Sequence, residues 1–455
     1  MNKKISLVNL NPECRYPKLG LGYLASYLLK YSNNVEVKIH DAAVSENVYN
    51  EVSAYNPDII GVTCLTPEFI FLEDFALKNK KDLNKPIIVG GSHYSLMPKL
   101  DDYLDIIVIG EGEQTFFELI ENFDGCTFNN KNKINGIMFK NNFGCTVQTP
   151  KRQLIYDLDT IPPPARGLFD MNFYGAAIKS DTGIIARETH MMSSRGCPFL
   201  CTYCSSSVFW ENKIRFHSPE YVVNEIEELV GVYNINSILF FDDLFTINKK
   251  RLHKIAELVE ERGLNNETTF GCFSRTNTLD KETVDYLKKL NVISVVFGFE
   301  TGSSKMLNYL KKNTTTIEDS KRSIKLCKDN NIKVAGFFMA GSPFESKEDL
   351  EQTINFIESE NIDTGWLSLS LPFPKTDFWN YAISNDLINV NNPKWDCFNP
   401  LQHHKINEGE NPFDDKILLT QEMNVDEFNE LFGKIQKALE NKSFKYYEKE
   451  RMRKK

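Results

Sequence analysis

No apolar run in this chain approaches the length of a membrane span, and the stretch after Met1-Asn2-Lys3-Lys4 is too short and too polar at its end for a signal peptide. Basic stripes are missing as well. Lys and Arg number 53 against 62 Asp and Glu, a net charge of -9, and the one cationic cluster is the terminal Lys449-Glu450-Arg451-Met452-Arg453-Lys454-Lys455. Such a surface gives no electrostatic case for nucleic acid, and the tail reads as a solvated end. The expected location is the cytoplasm, where thiols stay reduced, so the ten cysteines read as free thiols or metal ligands and not as disulfides. Cys14, Cys64, Cys126, Cys145, Cys272, Cys327 and Cys397 are scattered singly. The remaining cysteines are clustered.

What is present is an alternation of strand and helix patterns, the mark of an α/β protein. Over residues 1–125, strand patterns at 5–10, 35–39, 58–64, 86–89 and 105–109 are separated by helical spacing, as at 19–31 and 115–122. This predicts a doubly wound, Rossmann-like parallel sheet, whose ligands bind beyond the carboxyl ends of the strands. Polar corners fall there: Cys64-Leu65-Thr66, Gly90-Gly91-Ser92-His93 and Gly110-Glu111-Gly112-Glu113. Residues 126–185 read as a hairpin plus linker, stiffened by Ile161-Pro162-Pro163-Pro164. From 186 to 375 the alternation has a longer period. Strands at 190–194, 237–241, 269–274, 294–299, 334–340 and 366–371 each precede a helical pattern. That is a partial (β/α)6 barrel of the TIM kind, with its site at the carboxyl ends of the strands. Residues 376–455 read as a mainly helical cap, in which 425–439 is the clearer helix and His403-His404 has no assigned role.

The clustered cysteines lie after the first barrel strand, in Arg195-Gly196-Cys197-Pro198-Phe199-Leu200-Cys201-Thr202-Tyr203-Cys204. Thiolates are soft ligands for zinc or for iron–sulfur clusters. A complete [4Fe–4S] cluster takes four cysteines, and here the set stops at Cys197, Cys201 and Cys204, leaving one iron open to an outside ligand. The alternative is a structural zinc site completed by a histidine such as His190 or His217, although zinc sites usually pair two C-x2-C knuckles.

The C-x3-C-x2-C spacing, with Tyr203 directly before the last cysteine, resembles the signature of the radical S-adenosylmethionine (SAM) superfamily. The resemblance covers roughly residues 186–375. It implies that the open iron chelates the amino and carboxylate groups of SAM, that an electron then splits the sulfonium bond, and that Tyr203 packs near the adenine. Other strand ends fit the same template. Asp242 and Asp243 end the second strand, where the family contacts the SAM ammonium; helix capping is the competing role for both. Arg275 ends the third and is placed to pair with the SAM carboxylate. Gly298, Glu300 and Gly302 form a G-x-E-x-G segment ending the fourth, the glycines allowing close approach of the cofactor and Glu300 bonding its ribose or amino group. Gly336-Phe337-Phe338-Met339-Ala340-Gly341-Ser342-Pro343 resembles the family's fifth-strand turn.

With its doubly wound N-terminal domain the chain resembles the cobalamin-binding radical SAM enzymes. The matching residues are Pro17-Lys18-Leu19-Gly20-Leu21-Gly22-Tyr23, the third strand, the corners around Cys64, Thr66, Gly90, Gly91, Ser92, His93, Gly110, Glu111, Gly112 and Glu113, and the linker Asp157-Leu158-Asp159-Thr160-Ile161-Pro162. The D-x-H-x-x-G segment that supplies a lower cobalt ligand elsewhere is absent, which implies cobalt held without a protein histidine. The resemblance implies methyl transfer to an unactivated carbon or a phosphinate phosphorus of a small-molecule or peptide substrate, with flavodoxin or ferredoxin as electron donor. Ring contraction or oxidative cyclisation is the alternative outcome, and a non-enzymatic Fe–S or cobalamin sensor is the third. Aromatic residues late in the chain (Trp366, Trp379, Trp395) either enclose a substrate or pack.

Overall fold

The computed structural model describes residues 2–179, 185–390, 393, 395–398 and 417–442; the basic tail and His403-His404 lie outside them. The chain divides into two compact units, Met1–Tyr174 and Gly175–Lys455.

The first unit is built on one seven-stranded sheet. Strands β1 (Lys3–Asn9), β2 (Val35–Asp41), β3 (Ile59–Thr63), β4 (Ile87–Gly90) and β5 (Ile106–Val108) are parallel. A hairpin of β6 (Ile137–Lys140) and β7 (Thr146–Gln148) adds antiparallel to the β5 edge, in the order β2-β1-β3-β4-β5-β6-β7. Ile5, Leu7 and Val8 are all fully buried, so β1 is covered on both faces, as a parallel sheet requires. The cover comes from helices α1 (Leu19–Tyr31), α2 (Val48–Tyr55), α3 (Phe69–Asp82), α4 (Ser92–Leu96) and α5 (Glu113–Glu121), with α6 (Met171–Tyr174) closing the unit. Since β1 lies between β2 and β3, the order reverses there, and a crevice opens beyond the carboxyl ends of β1 and β3.

The second unit holds the half-barrel. Strands β9 (Ile185–Met191), β12 (Ser237–Phe240), β13 (Thr269–Ser274), β14 (Val292–Glu300), β15 (Lys333–Ala340) and β16 (Thr364–Leu369) run parallel, and β8 (Ala177–Lys179) pairs antiparallel with β9. Between β9 and β12 lies a two-residue ladder of β10 (Ser194–Arg195) with β11 (Arg215–Phe216), with the short helix α7 (Ser205–Phe209) inside its loop. The outer helices are α8 (Pro219–Gly231), α9 (Lys249–Glu261), α10 (Lys281–Lys289), α11 (Ser304–Lys311), α12 (Ile317–Asp329) and α13 (Lys347–Ser359). Local signals explain their sharp starts. Ser218 accepts from the Tyr221 N–H ahead of Pro219 at the first helical position, and Ser346 with Asp349 forms a capping box at α13.

Helices α14 (Asp377–Ser384) and α15 (Val425–Asn441) follow the last strand. Phe428, Leu431, Phe432, Ile435 and Leu439 of α15 share one core with Leu367 and Leu369 of β16, so α15 completes the outer layer of the barrel.

Candidate active site

The β10–β11 ladder pinches off residues 196–214 as a loop. Gly196 opens it at φ +93°, and a Cβ there would lie 2.1 Å from the Lys213 carbonyl oxygen, so only glycine lets the two ends of the loop meet. Cys197, Cys201 and Cys204 follow, half-buried free thiols. Burial pushes the Cys197 thiol up and the Cys204 thiol up to about 12. Backbone N–H groups counter this: Phe199 donates to Cys197, and Ser206 and Ser207 donate to Cys204. Cys201 receives an Nη1–H of Arg275 at 3.2 Å.

A tetrahedral zinc site would need a fourth Cys or His beside the three thiols. His190 packs tilted against Phe241, and His217 stacks on Tyr221. A cubane takes one thiolate at each of three separate irons, so its ligands need not converge. Three soft thiols on one loop, each with an N–H donor, fit a [4Fe–4S] cluster.

The neighbouring strand ends brace this loop. Asp242, after β12, is buried and accepts from the Ser193 N–H, Ser193 Oγ and Ser194 Oγ, each at 2.6 Å. Exposed Asp243 accepts from Ser206 Oγ at 2.6 Å. Neither caps a helix: Asn248 is the N-cap of α9. Arg275 is buried over the Phe199 ring, 3.9 Å from its centroid, and donates to Thr315 Oγ1 at 3.0 Å and to Thr314 Oγ1. Glu300 has φ +67°; its Oε1 accepts from Tyr203 Oη at 2.7 Å and Lys311 Nζ at 2.6 Å.

The glycines of the G-x-E-x-G segment are closely packed. A Cβ on Gly298 would lie 2.3 Å from Glu300 Oε1, and one on Gly302 would lie 2.5 Å from the Gln352 carbonyl oxygen. The Glu300 carboxylate lies against Gly298, and helix α13 packs on Gly302. Lys311, Thr314 and Thr315 carry no motif in the sequence; their only signal there is position at or just beyond the end of the fourth strand's helix.

The inner side of the barrel carries a chain of rings. Phe240, Cys272, Phe338 and Leu367 belong to the outer core, so Phe241, Phe273, Phe337 and Trp366, each adjacent in its strand register, face the other way. Ring centroids run 4.5 Å from His190 to Phe241, 5.4 Å to Phe273, 6.1 Å to Phe337 and 5.0 Å to Trp366. Trp379 and Trp395 stack on each other instead, 6.2 Å apart.

In the first unit the predicted corners fall at the carboxyl ends of β3, β4 and β5. Gly91, at φ +106°, is packed so closely that a Cβ would meet the Cys64 carbonyl oxygen at 2.4 Å. Cys64, Thr66 and His93 are buried together, with His93 Nδ1 3.3 Å from Thr66 Oγ1; burial lowers the His93 ring to about 4, which keeps it neutral. Glu111 is buried and accepts the Ile155 N–H at 2.8 Å, and Glu113 starts α5 after Gly112. Leu19 is buried in the first turn of α1, whereas Gly20 beside it is exposed; Gly90 and Ser92 are half-buried. Gly110, at φ +90°, and Gly20 both have open space where a Cβ would point. The open backbone at Gly20 and Gly110, at the carboxyl-end face of the sheet where such folds bind ligands, fits close approach of a large planar macrocycle. The crevice also holds residues the sequence did not flag. Glu68 Oε1 accepts from Asn11 Nδ2 and from Lys18, and Oε2 accepts the Leu65 N–H at 3.0 Å.

A profile described as the radical SAM superfamily matches residues 191–357, and one described as the B12 binding domain matches residues 5–120. An uncharacterised methyltransferase of Pyrococcus horikoshii is 33% identical over 404 residues, covering 86% of this chain and 83% of that protein. The anaerobic magnesium-protoporphyrin IX monomethyl ester cyclase of Rubrivivax gelatinosus is 30% identical over 388 residues, covering 80% of this chain and 66% of that protein. Among solved structures, the radical SAM methyltransferase TsrM of Kitasatospora setae, with cobalamin and a [4Fe–4S] cluster bound, matches in fold with a TM-score of 0.68 at 18% identity. The match covers 84% of this chain and 76% of that one.

Proposed function

Because this chain belongs to the radical SAM superfamily, in the branch that carries a B12 binding domain, we propose that it transfers a methyl group to an unactivated carbon or a phosphinate phosphorus of a small-molecule or peptide substrate. The observation that carries the reading is the loop of Cys197, Cys201 and Cys204 braced by strand ends at Asp242, Arg275 and Glu300. When bound, the cluster supplies the electron that splits SAM and cobalamin carries the methyl group.

The chain's own residues bind, orient and exclude water. The three thiols would hold the cluster, while Asp242 fixes the Ser193-Ser194 turn from which the loop departs. Exposed Asp243 is the carboxylate left to meet the SAM ammonium. In the first unit the corners at Cys64–Thr66, Gly90–His93 and Gly110–Glu113, with Leu19 and Gly20, would receive cobalamin, and His93 would not ligate cobalt, being buried against Thr66. The rings from His190 to Trp366 favour a substrate with an apolar or ring portion. An electron donor such as flavodoxin or ferredoxin would supply the electron. Among the described residues no helix is long and apolar enough to cross a membrane.

The relatedness to a cyclase supports a second reading, oxidative cyclisation, which shares the first step but transfers no methyl group. Anaerobic turnover with SAM labelled in its methyl group separates them. Labelled product alongside 5′-deoxyadenosine supports methyl transfer; 5′-deoxyadenosine with an unlabelled, dehydrogenated product supports cyclisation. Absence of 5′-deoxyadenosine under reducing conditions would overturn both.

A further inference from the structure

Arg275 stands out among the cations of the second unit for what it holds. Its Nη1–H points at Cys201 Sγ from 3.2 Å, Nε–H donates to Thr315 Oγ1 at 3.0 Å, and Nη2–H donates to Thr314 Oγ1. The Phe199 ring, from the turn between Cys197 and Cys201, lies 3.9 Å beneath the guanidinium. Among the described residues, its side-chain hydrogen bonds go to two hydroxyls and a thiol, with no carboxylate to balance the charge. The side chain is 6% exposed, so the charge is little screened by water.

The anchoring segment grips the same loop twice. Leu310, at the end of α11, accepts the Thr202 N–H at 3.0 Å, and the chain then runs through Lys311 to the two threonines that fix Arg275. Cys201 and Thr202 are thereby tied to one stretch, residues 310–315, by a backbone bond and by a clamped guanidinium. Hydrogen bonds to cluster sulfurs and nearby charge are main determinants of a cluster's reduction potential, and a guanidinium keeps its charge at every working pH. Reduction adds a negative charge that a fixed cation beside one thiolate stabilises.

We propose that Arg275 is a positioning residue for the cluster: acting through Cys201, it fixes that thiolate and makes the cluster easier to reduce. This rests on the assignment of the three thiols as cluster ligands. It differs from the sequence expectation, in which Arg275 pairs with the SAM carboxylate, because the structure directs its donors at a cysteine and two threonines.

The test uses the full chain, anaerobically reconstituted, with iron and sulfide measured and the cluster titrated without SAM or substrate while its reduced form is followed by electron paramagnetic resonance. R275Q is expected to load iron, to show a more negative potential and to change the line shape of the reduced cluster. R275K, which keeps the charge but cannot span all three partners, should recover part of the shift. T315V removes one arm of the clamp and should move the potential in the same direction by less. A loaded R275Q with unaltered potential and line shape overturns the proposal, and if it has also lost the spectral response to SAM, Arg275 serves SAM directly. Should R275Q hold no cluster, T315V decides, since an unshifted potential there overturns the proposal. Failure of the underlying assignment has a different signature, a wild-type chain that binds no iron or whose cluster spectrum ignores SAM.

Discussion

Lys311 and Glu300 meet at 2.6 Å with both side chains buried, and Tyr203, one residue before the third clustered cysteine, donates to the same Glu300 oxygen at 2.7 Å. The loop that holds the thiols is thus bonded through Tyr203 to an ion pair behind it. Removing one member of a buried pair strands the other charge in a low-dielectric site. K311M is expected to cost about 3–5 kcal/mol in chemical denaturation. The double variant K311M/E300Q should recover part of that loss, and additive losses would show that the two are not coupled.

The clustered and scattered cysteines should separate cleanly. Changing Cys197, Cys201 or Cys204 to Ala is expected to abolish the visible absorbance of the reconstituted chain and its formation of 5′-deoxyadenosine. Cys272, wholly buried in the outer core beneath the helices, should behave otherwise. C272S is expected to keep the wild-type iron content while losing about 1–3 kcal/mol of stability, because it buries a hydroxyl among apolar neighbours. Iron loss from C272S without unfolding would contradict this assignment.

The first unit offers a test that separates stability from cobalamin binding. Gly20 is exposed in the first turn of α1 with open space at its Cβ position, so G20A should stabilise, by less than the roughly 0.5–1 kcal/mol of a mid-helix glycine. If cobalamin lies over the amino end of α1, the same methyl group lowers the cobalt content of the reconstituted protein. Unchanged cobalt in the stabilised variant would place the cofactor elsewhere.

Glu345 sets a pH dependence. It is wholly buried, Oε2 accepts the Gly341 and Ser342 N–H groups at 2.6 and 3.1 Å, and burial pushes its carboxyl from 4.5 up to about 8. The folded chain keeps a proton there that the unfolded chain gives up. Its contribution to stability is therefore full below pH 4.5 and is lost as pH rises through about 8. Denaturation midpoints measured across that window should fall more steeply with pH for the wild type than for E345Q. Equal slopes would show that Glu345 is not the group responsible.

Most elements, and the chemistry of the thiol loop, are legible in the residues alone. The periods of apolar residues place α1 at Leu19–Tyr31 and α15 at 425–439, within the observed bounds, and the thiol spacing points to the cofactor class. The sequence did not reveal α3, where Ile70 and Phe71 are exposed and blur the helical period, nor that the apolar face of α15 shares the core of β16. Tertiary structure alone decided the rest. The position of β1 between β2 and β3 makes the crevice, and only folding brings Arg275 to Cys201, Lys311 to Glu300 and Lys18 to Glu68. The reason is physical: periodicity and ligand spacing are local properties of the chain, whereas the partner of a buried charge is set by which strand ends become neighbours.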